Sequence, residues 1–288
     1  MAAKKSRLTS WLFLVPAGII YLSVLIVPII YSSVISLFKW NGISRMEFIG
    51  FNNYINLFGD PVFLKVLQNN FIWLILSLTI TLVLPLALAV ILNKKFVGRT
   101  FFRGFFYFPA VIASIAVAII WRWIYNPSFG FINEVLRYLN IDFKQNWIST
   151  PATSLYAVYF AALWQYVGQP MILFLAGLQT VPEEILEAAI IDGASNARRF
   201  MVITIPLMKE TFVIVIANLV VGALRVFDII MGLTAGGPND ATQMMSTYMY
   251  SQTFRYNNVG YGTAIAILMV IFMMAVIVPY IRFTAGKE

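Results

Sequence analysis

The sequence predicts an all-α polytopic membrane protein, and three observations carry that expectation. Hydrophobic residues make up 60% of the 288 positions and charged residues 11%, with a mean hydropathy of +0.83; soluble domains typically carry about 25% charge. Several apolar runs exceed the roughly 20 residues needed to cross a hydrocarbon core about 30 Å thick. Those runs are continuous rather than alternating, which points to helices and away from barrel strands. The chain has no cysteine and no histidine, so disulfides, haem ligation, thiolate chemistry and histidine-based zinc sites are excluded.

Six spans can be placed in order. Trp11–Phe38 is long, interrupted by Pro16 and Pro28. It exceeds a signal-peptide core of roughly 7–15 residues and no small-x-small cleavage pattern follows it, so it reads as a retained anchor. Phe71–Leu92, Phe105–Tyr125, Ser154–Leu178, Phe212–Leu233 and Gly262–Phe283 follow. An even number puts both termini on one side. If that side is the cytoplasm, it collects 12 of the 20 Lys and Arg residues, among them Lys4, Lys5, Arg7, Lys94, Lys95 and Lys287. Seven, Lys144 included, fall opposite, and Arg225 lies inside a span. The positive-inside rule therefore favours cytoplasmic termini, and orientation, not nucleic-acid binding, explains the net charge of +8. Three outer loops, 39–70, 126–153 and 234–261, are rich in Asn, Gly and aromatic residues, as in WNGISRMEFIGFNNYINLFGDP and TAGGPNDATQ. Each reads as a solvated connector, or the three together as a docking platform for an extracytoplasmic partner. None is large enough to be independent, so residues 1–288 read as one transmembrane domain.

Between spans four and five a cytoplasmic segment, 180–210, breaks the apolar pattern: TVPEEILEAAIIDGASNARRFMVITIPLMKE. Thr180 with Glu183 has the capping-box spacing, Pro182 is tolerated in a first turn, and Glu183 and Glu184 suit the positive end of a helix. Ile185, Leu186, Ala189 and Ile190 would form an apolar strip. Gly193 is placed to end this helix in a left-handed conformation. Ser195 then caps a second helix that Pro206 ends or kinks. Ala188 and Ala189 leave a low surface, Glu187 and Asp192 add acidic features, and Arg198 and Arg199 follow. Two readings stay open on these grounds: an interfacial hairpin packed on its own bundle, or a docking element.

Polar residues inside the spans are the other signal. Span four contains Trp164, Gln165, Tyr166 and Gln169, with Pro170 freeing a backbone carbonyl. Amides for hydroxyls and an aromatic face for the apolar side of a ring suit an uncharged sugar; interhelical hydrogen bonding is the alternative. Span five carries Asn218, Arg225 and Asp228. A charge at the membrane centre costs at least about 2.5–3.5 kcal/mol, so neither is expected to face lipid. Three residues apart on a helix, Arg225 and Asp228 are expected to share a face and pair, either as a structural ion pair or in contact with substrate. Trp121, Arg122 and Trp123 read as interfacial anchors.

The cytoplasmic segment resembles a known family. Glu187-Ala188-Ala189, then Gly193, then Ile203-Thr204-Ile205-Pro206, with Asp192, Ala194 and Phe200, is similar to the loop signature of permease subunits of bacterial ABC importers. Ile205 stands where leucine is usual, and the proline many members have near Glu210 is absent. The tracts LFLVPAGIIYLSVLIVPIIYSSVISLF, FFRGFFYFPAVIASIAVAIIWRWIYNPSFGFIN and RVFDIIMGLTAGGPNDAT extend the resemblance, over nearly the whole chain, to the maltose and multiple-sugar (MalF-like), binding-protein-dependent permeases. It implies the type I ABC importer transmembrane fold, six spans with a coupling helix between spans four and five. In that family this helix inserts into a cleft on the cytoplasmic ATPase. Glu187, Ala188, Ala189, Asp192 and Gly193 are then expected to form the ATPase contact, and Trp164, Gln165, Tyr166, Gln169, Asn218, Arg225 and Asp228 to line the substrate path. The resemblance also implies a second homologous permease subunit, an extracytoplasmic sugar-binding protein and a multi-pass place in the bacterial cytoplasmic membrane, in contact with its lipid.

No G-x-x-x-x-G-K-[ST] phosphate loop occurs, so ATP and magnesium are expected on a separate ATPase polypeptide, with no cofactor, metal or catalytic residue in this chain. The rivals are an ion-coupled secondary transporter, an ABC permease for a non-sugar solute, a channel and a membrane enzyme. The first normally uses intramembrane acids, of which Asp228 is the only one. A channel would need a ring of filter carbonyls or charges, and an enzyme a convergent acid–base or nucleophile set.

Overall fold

The computed structural model describes residues 14–141 and 145–285, with side chains to residue 282. Trp11–Phe13 of the first expected span, and Lys4, Lys5, Arg7, Lys144 and Lys287, lie outside the described residues. The chain divides into two compact units. One holds the described residues up to Pro61 together with Tyr248–Ile271; the other holds Val62–Thr247 and the chain from Phe272 onward.

In the first unit, α1 (Leu14–Ile35) is apolar on every face, and its most apolar stretch has no buried residue. Pro28 lacks the N–H that would bond one turn back, and the helix widens into a π-turn at Leu22–Ile26 just before it. Two short strands, β1 (Phe38–Lys39) and β2 (Glu47–Phe48), form an antiparallel hairpin with Phe38 opposite Phe48. After it, α2 runs Asn52–Gly59. Buried Asn53 donates to the Ser36 and Phe38 carbonyls at 2.8 and 3.0 Å, satisfying the groups that α1 leaves exposed as it ends. The hydroxyls of Tyr248 and Tyr261 both donate to Asp60 Oδ2, the latter at 3.0 Å. Burial, reinforced by the Asp60 carboxylate, pushes the Tyr248 phenol above its ordinary pKa.

In the second unit, α3 (Pro61–Asn93; Pro61 itself belongs to the first) is a single 33-residue helix. It starts ten residues before the expected Phe71, because its first turns hold an outer loop instead of facing lipid. Lys65 Nζ donates to the Asn239 carbonyl at 3.0 Å, and Asn69 Nδ2 to those of Asp240 and Gln243 at 3.1 and 2.9 Å. Asn70 Oδ1 accepts from the Met245 N–H at 2.8 Å. At the other end, Arg103 grips the Leu92 carbonyl at 2.7 Å.

Expected span three is broken. α4 (Arg99–Val111) and α5 (Ser114–Ile124) meet at 101°. After α6 (Phe131–Tyr138), span four is α7 (Pro151–Tyr166) and α8 (Gly168–Gln179), bent by 45°. Pro170 cannot bond the Tyr166 carbonyl, which accounts for the bend. α9 (Glu183–Ile191) leads to α10 (Asn196–Leu207), which contains Pro206 and turns by 74° into α11 (Lys209–Arg225). Expected span five, Phe212–Leu233, is interrupted at Val226–Phe227, and α12 (Asp228–Leu233) follows. α13 (Met245–Tyr250) and α14 (Val259–Ala285) complete the chain. Among the described residues, three helices alone are long and apolar enough to cross a membrane, and the three bent pairs bring the number to six.

Two apolar clusters hold the second unit. Trp73, Trp121, Tyr125, Tyr159, Ile230 and Met244 anchor the first; Ala89, Met171, Phe174, Met208 and Val215 the second. Trp121 corrects the expectation of an interfacial anchor: it is 6% exposed and meets Phe160 and Trp164 edge-on. Trp123, 69% exposed, keeps the outward position, while Arg122 Nε donates to the Leu233 carbonyl at 3.4 Å. Contacts are close where glycine stands. A β-carbon on Gly168 would lie 2.5 Å from the Phe106 carbonyl oxygen, and one on Gly232 would lie 2.5 Å from the Ala118 β-carbon.

Candidate functional site

A cavity of about 320 Å³ opens within the second unit. Its walls come from α3, α7, α8, α11 and the interruption between α11 and α12. Tyr166, Gln169, Asn218, Arg225 and Asp228 all line it. The break at Val226–Phe227 changes the relation of the two charges. Arg225 ends one helix and Asp228 sits in the first turn of the next, so they do not share a helical face. Among the described residues neither forms an ion pair. The expected Arg225–Asp228 pair is thus corrected: two separate charged heads face one cavity, each on the helix end whose dipole suits its sign.

Trp164 and Gln165 do not line the cavity. The Trp164 ring packs at 5.9 Å from Trp121. Gln165 is 2% exposed and donates to the Ile112 carbonyl and Ser114 Oγ, because the half-turn that brings Tyr166 and Gln169 to the cavity turns Gln165 toward α4 and α5. Trp73, Ser77, Thr81 and Tyr159 also line the cavity, beyond the residues expected there. Their signal is in the sequence. Trp73, Ser77 and Thr81 recur every fourth position, one helical face of an apolar run, where hydroxyls without a purpose are costly. Thr81 and Tyr159 share a hydrogen bond at 2.6 Å, and Tyr159 reaches the Leu76 carbonyl at 2.7 Å. That part of the wall is therefore pre-ordered, and among the described residues the side chains of Arg225, Asp228, Asn218 and Gln169 have no hydrogen-bond or ion-pair partner.

The hairpin 180–210 has strong local determinants. Gly193, at φ +75°, follows α9, with its N–H on the Ile190 carbonyl at 3.0 Å and the Ala194 N–H on Ala189 at 2.9 Å, the Schellman pattern. Ser195 Oγ accepts from the Arg198 N–H at 3.3 Å and caps α10. The expected capping box at Thr180 is corrected. Pro182 is the N-cap without a side-chain bond, and Thr180 Oγ1 donates back to the Gly177 carbonyl at 2.8 Å, because the extended Pro182 places Thr180 outside the helix. The apolar strip is narrower than expected. Leu186 packs toward the second cluster and Ala189 is 7% exposed, while Ile185 and Ile190 are 42% and 55% exposed. Ala189 thus faces its own fold, and Glu187, Ala188, Asp192 and Gly193 form the exposed ridge, with Ile191 beside them at 87%.

Comparison with known proteins gives this geometry a context. Residues 81–285 match the family described as "Binding-protein-dependent transport system inner membrane component". The chain is 35% identical to "Probable ABC transporter permease protein YurN" of Bacillus subtilis over 99% of both chains. It is 33% identical to the multiple sugar-binding transport system permease protein MsmF of Streptococcus mutans over 96% of both. A bacterial ABC transporter chain involved in import of the acidic polysaccharide alginate has the same fold, with a TM-score of 0.85 over the full length of both chains at 22% identity. The match over most of the chain and the curated relatives agree: the chain belongs to the family of inner membrane components of binding-protein-dependent transport systems.

Proposed function

We propose that this protein is the permease subunit of an ABC importer and forms half of the translocation path for a sugar or oligosaccharide. The observation that carries the reading is the cavity itself, where unpaired Arg225 and Asp228 stand beside Gln169, Asn218 and aromatic walls. A vicinal diol can accept from a guanidinium and donate to a carboxylate at once, and an aromatic wall takes the apolar face of the ring. The exposed ridge of α9 would meet a cytoplasmic ATPase that carries ATP and magnesium, the termini lying on the same side. A second permease of the same family would supply the other half of the path, and an extracytoplasmic binding protein would deliver the sugar. Closure of the ATPases would move α9 as a lever and switch the bundle between inward- and outward-facing states.

Uptake into vesicles carrying the assembled complex tests this, with maltose, lactose and trehalose as probes. ATP-dependent accumulation is the expected result. Accumulation driven by a sodium or proton gradient, without the ATPase, would establish the secondary-transport reading instead. Within the transporting complex, Arg225→Gln and Asp228→Asn are each expected to raise the half-saturating sugar concentration about tenfold, the loss of one charge-assisted hydrogen bond, with membrane insertion unchanged. Unaltered half-saturation in both variants would remove the two charges from the path.

A further inference from the structure

Gln165 lies outside the cavity, yet its amide is committed to the sharpest of the three bent spans. Its Nε2 donates to the Ile112 carbonyl at 2.9 Å and to Ser114 Oγ at 3.2 Å. Ile112 leaves α4 in extended geometry, with ψ 134°. The first turn of α5 returns the Ala116 and Val117 N–H groups to the Ala113 carbonyl, not to Ile112. Gln165 is therefore the partner of the carbonyl exposed by the break. Its own Oε1 is buried and accepts no hydrogen bond from any described residue, an arrangement that folded proteins seldom keep. The next residue, Tyr166, lines the cavity, and its hydroxyl stands 3.2 Å from the same Ser114 Oγ. The Ser114 hydroxyl, with a single proton to donate, thus sits between a cavity-wall phenol and an amide that lacks a donor.

We propose that Gln165 and Ser114 are positioning residues that tie the cavity-facing hydroxyl of Tyr166 to the break in span three. The proposal rests on the cavity being the solute path. A polyhydroxylated solute that engages the Tyr166 hydroxyl draws it away from Ser114 Oγ. Ser114, at the start of α5, is then held by Gln165 Nε2 alone and loses one of its two side-chain ties, those to Gln165 and Tyr166. Occupancy of the cavity is transmitted in this way to the joint between α4 and α5, an element with two hydrogen-bonding arrangements that binding can bias. Gly168 keeps the transmission short. With no room for a β-carbon against the Phe106 carbonyl oxygen, it holds the start of α8 directly on α4.

The lack of native cysteine makes the joint accessible to a single reporter. Ala113→Cys, at an exposed position of the break, is placed in the full chain, assembled with its partner subunits in membrane vesicles. The rate of modification by N-ethylmaleimide is then measured. Tyr166→Phe, which removes the hydroxyl as an engaging solute would, is expected to change that rate about threefold or more. In a Ser114→Ala or Gln165→Leu background the same change is expected to alter it by less than about 1.3-fold, since coupled residues fail to add. Ser114→Thr, which keeps the hydroxyl, should restore the full effect, an outcome that mere packing would not produce. An equal effect of Tyr166→Phe in every background overturns the proposal. Should the Ala113→Cys substitution prevent assembly, Val111→Cys, 71% exposed on the α4 side, serves as the reporter with the same expectations. Transport is read separately. Coupling in a complex that moves none of the three sugars would overturn the sugar-path reading and leave the positioning role, whereas transport without coupling would do the reverse.

Discussion

Gly168→Leu is expected to prevent stable accumulation of the protein in the membrane. The β-carbon alone would lie 2.5 Å from the Phe106 carbonyl oxygen and 2.6 Å from the Tyr107 Cα. Both obstacles are backbone, so relief requires α4 to move away from α8. Overpacking a core costs about 1–3 kcal/mol when side chains can yield; here they cannot, and the cost is expected at or above the upper end. Gly104→Ala, on the α4 helix that Gly168 packs against, is the control. Nothing stands within 4 Å of its β-carbon, and replacing a helical glycine by alanine gains about 0.5–1 kcal/mol. Thermal melting of the detergent-solubilised protein should therefore fall sharply for Gly168→Leu and stay level or rise for Gly104→Ala. Equal melting of the two variants would show that α4 and α8 can separate at little cost.

Changes on the exposed ridge are expected to strike transport and spare the fold. Glu187 is solvent-facing, so Glu187→Lys removes no internal contact, and its reversed charge would oppose any basic surface that receives α9. Gly193→Trp acts at a position with open space but φ +75°. A left-handed residue other than glycine costs about 1–2 kcal/mol, and the indole adds bulk where a partner must approach. Gly193→Asn tolerates the same conformation without that bulk. ATP-driven uptake should fall more than about tenfold in Glu187→Lys and Gly193→Trp, roughly the loss of one charged contact at an interface, and remain near wild type in Gly193→Asn. Membrane insertion should be unchanged in all three. Normal uptake by both damaging variants would mean that α9 is an interfacial hairpin without a docked partner.

What the sequence shows, and what it hides, follows the range of the forces involved. Apolar run length fixes the spans and is purely local. So are the determinants of the hairpin: Gly193 and Ser195 act on neighbours a few residues away, and both stand where the pattern places them. Pro170 and Pro206 mark two of the bends. The third, between Val111 and Ser114, follows Pro109 by three residues, and its exposed carbonyl is satisfied by a residue 53 positions later. No local pattern can reveal a partner at that distance. The spacing of Arg225 and Asp228 misleads for a related reason, because the three-residue rule assumes an unbroken helix and the chain turns extended at Val226. Trp121 reads as an anchor by composition, and only the packing of Phe160 and Trp164 around it shows that it belongs to the core.

The length of α3 has a mechanical result. Thirty-three residues at about 1.5 Å each make a rod of roughly 50 Å, some 20 Å longer than the hydrocarbon it crosses. Its overhang is lashed to residues 239–245 through Lys65, Asn69 and Asn70, and its foot is clasped by Arg103. A load on that stretch of chain is therefore borne by a continuous helix, whose one proline past its first residue is Pro85, and not by a loose flap.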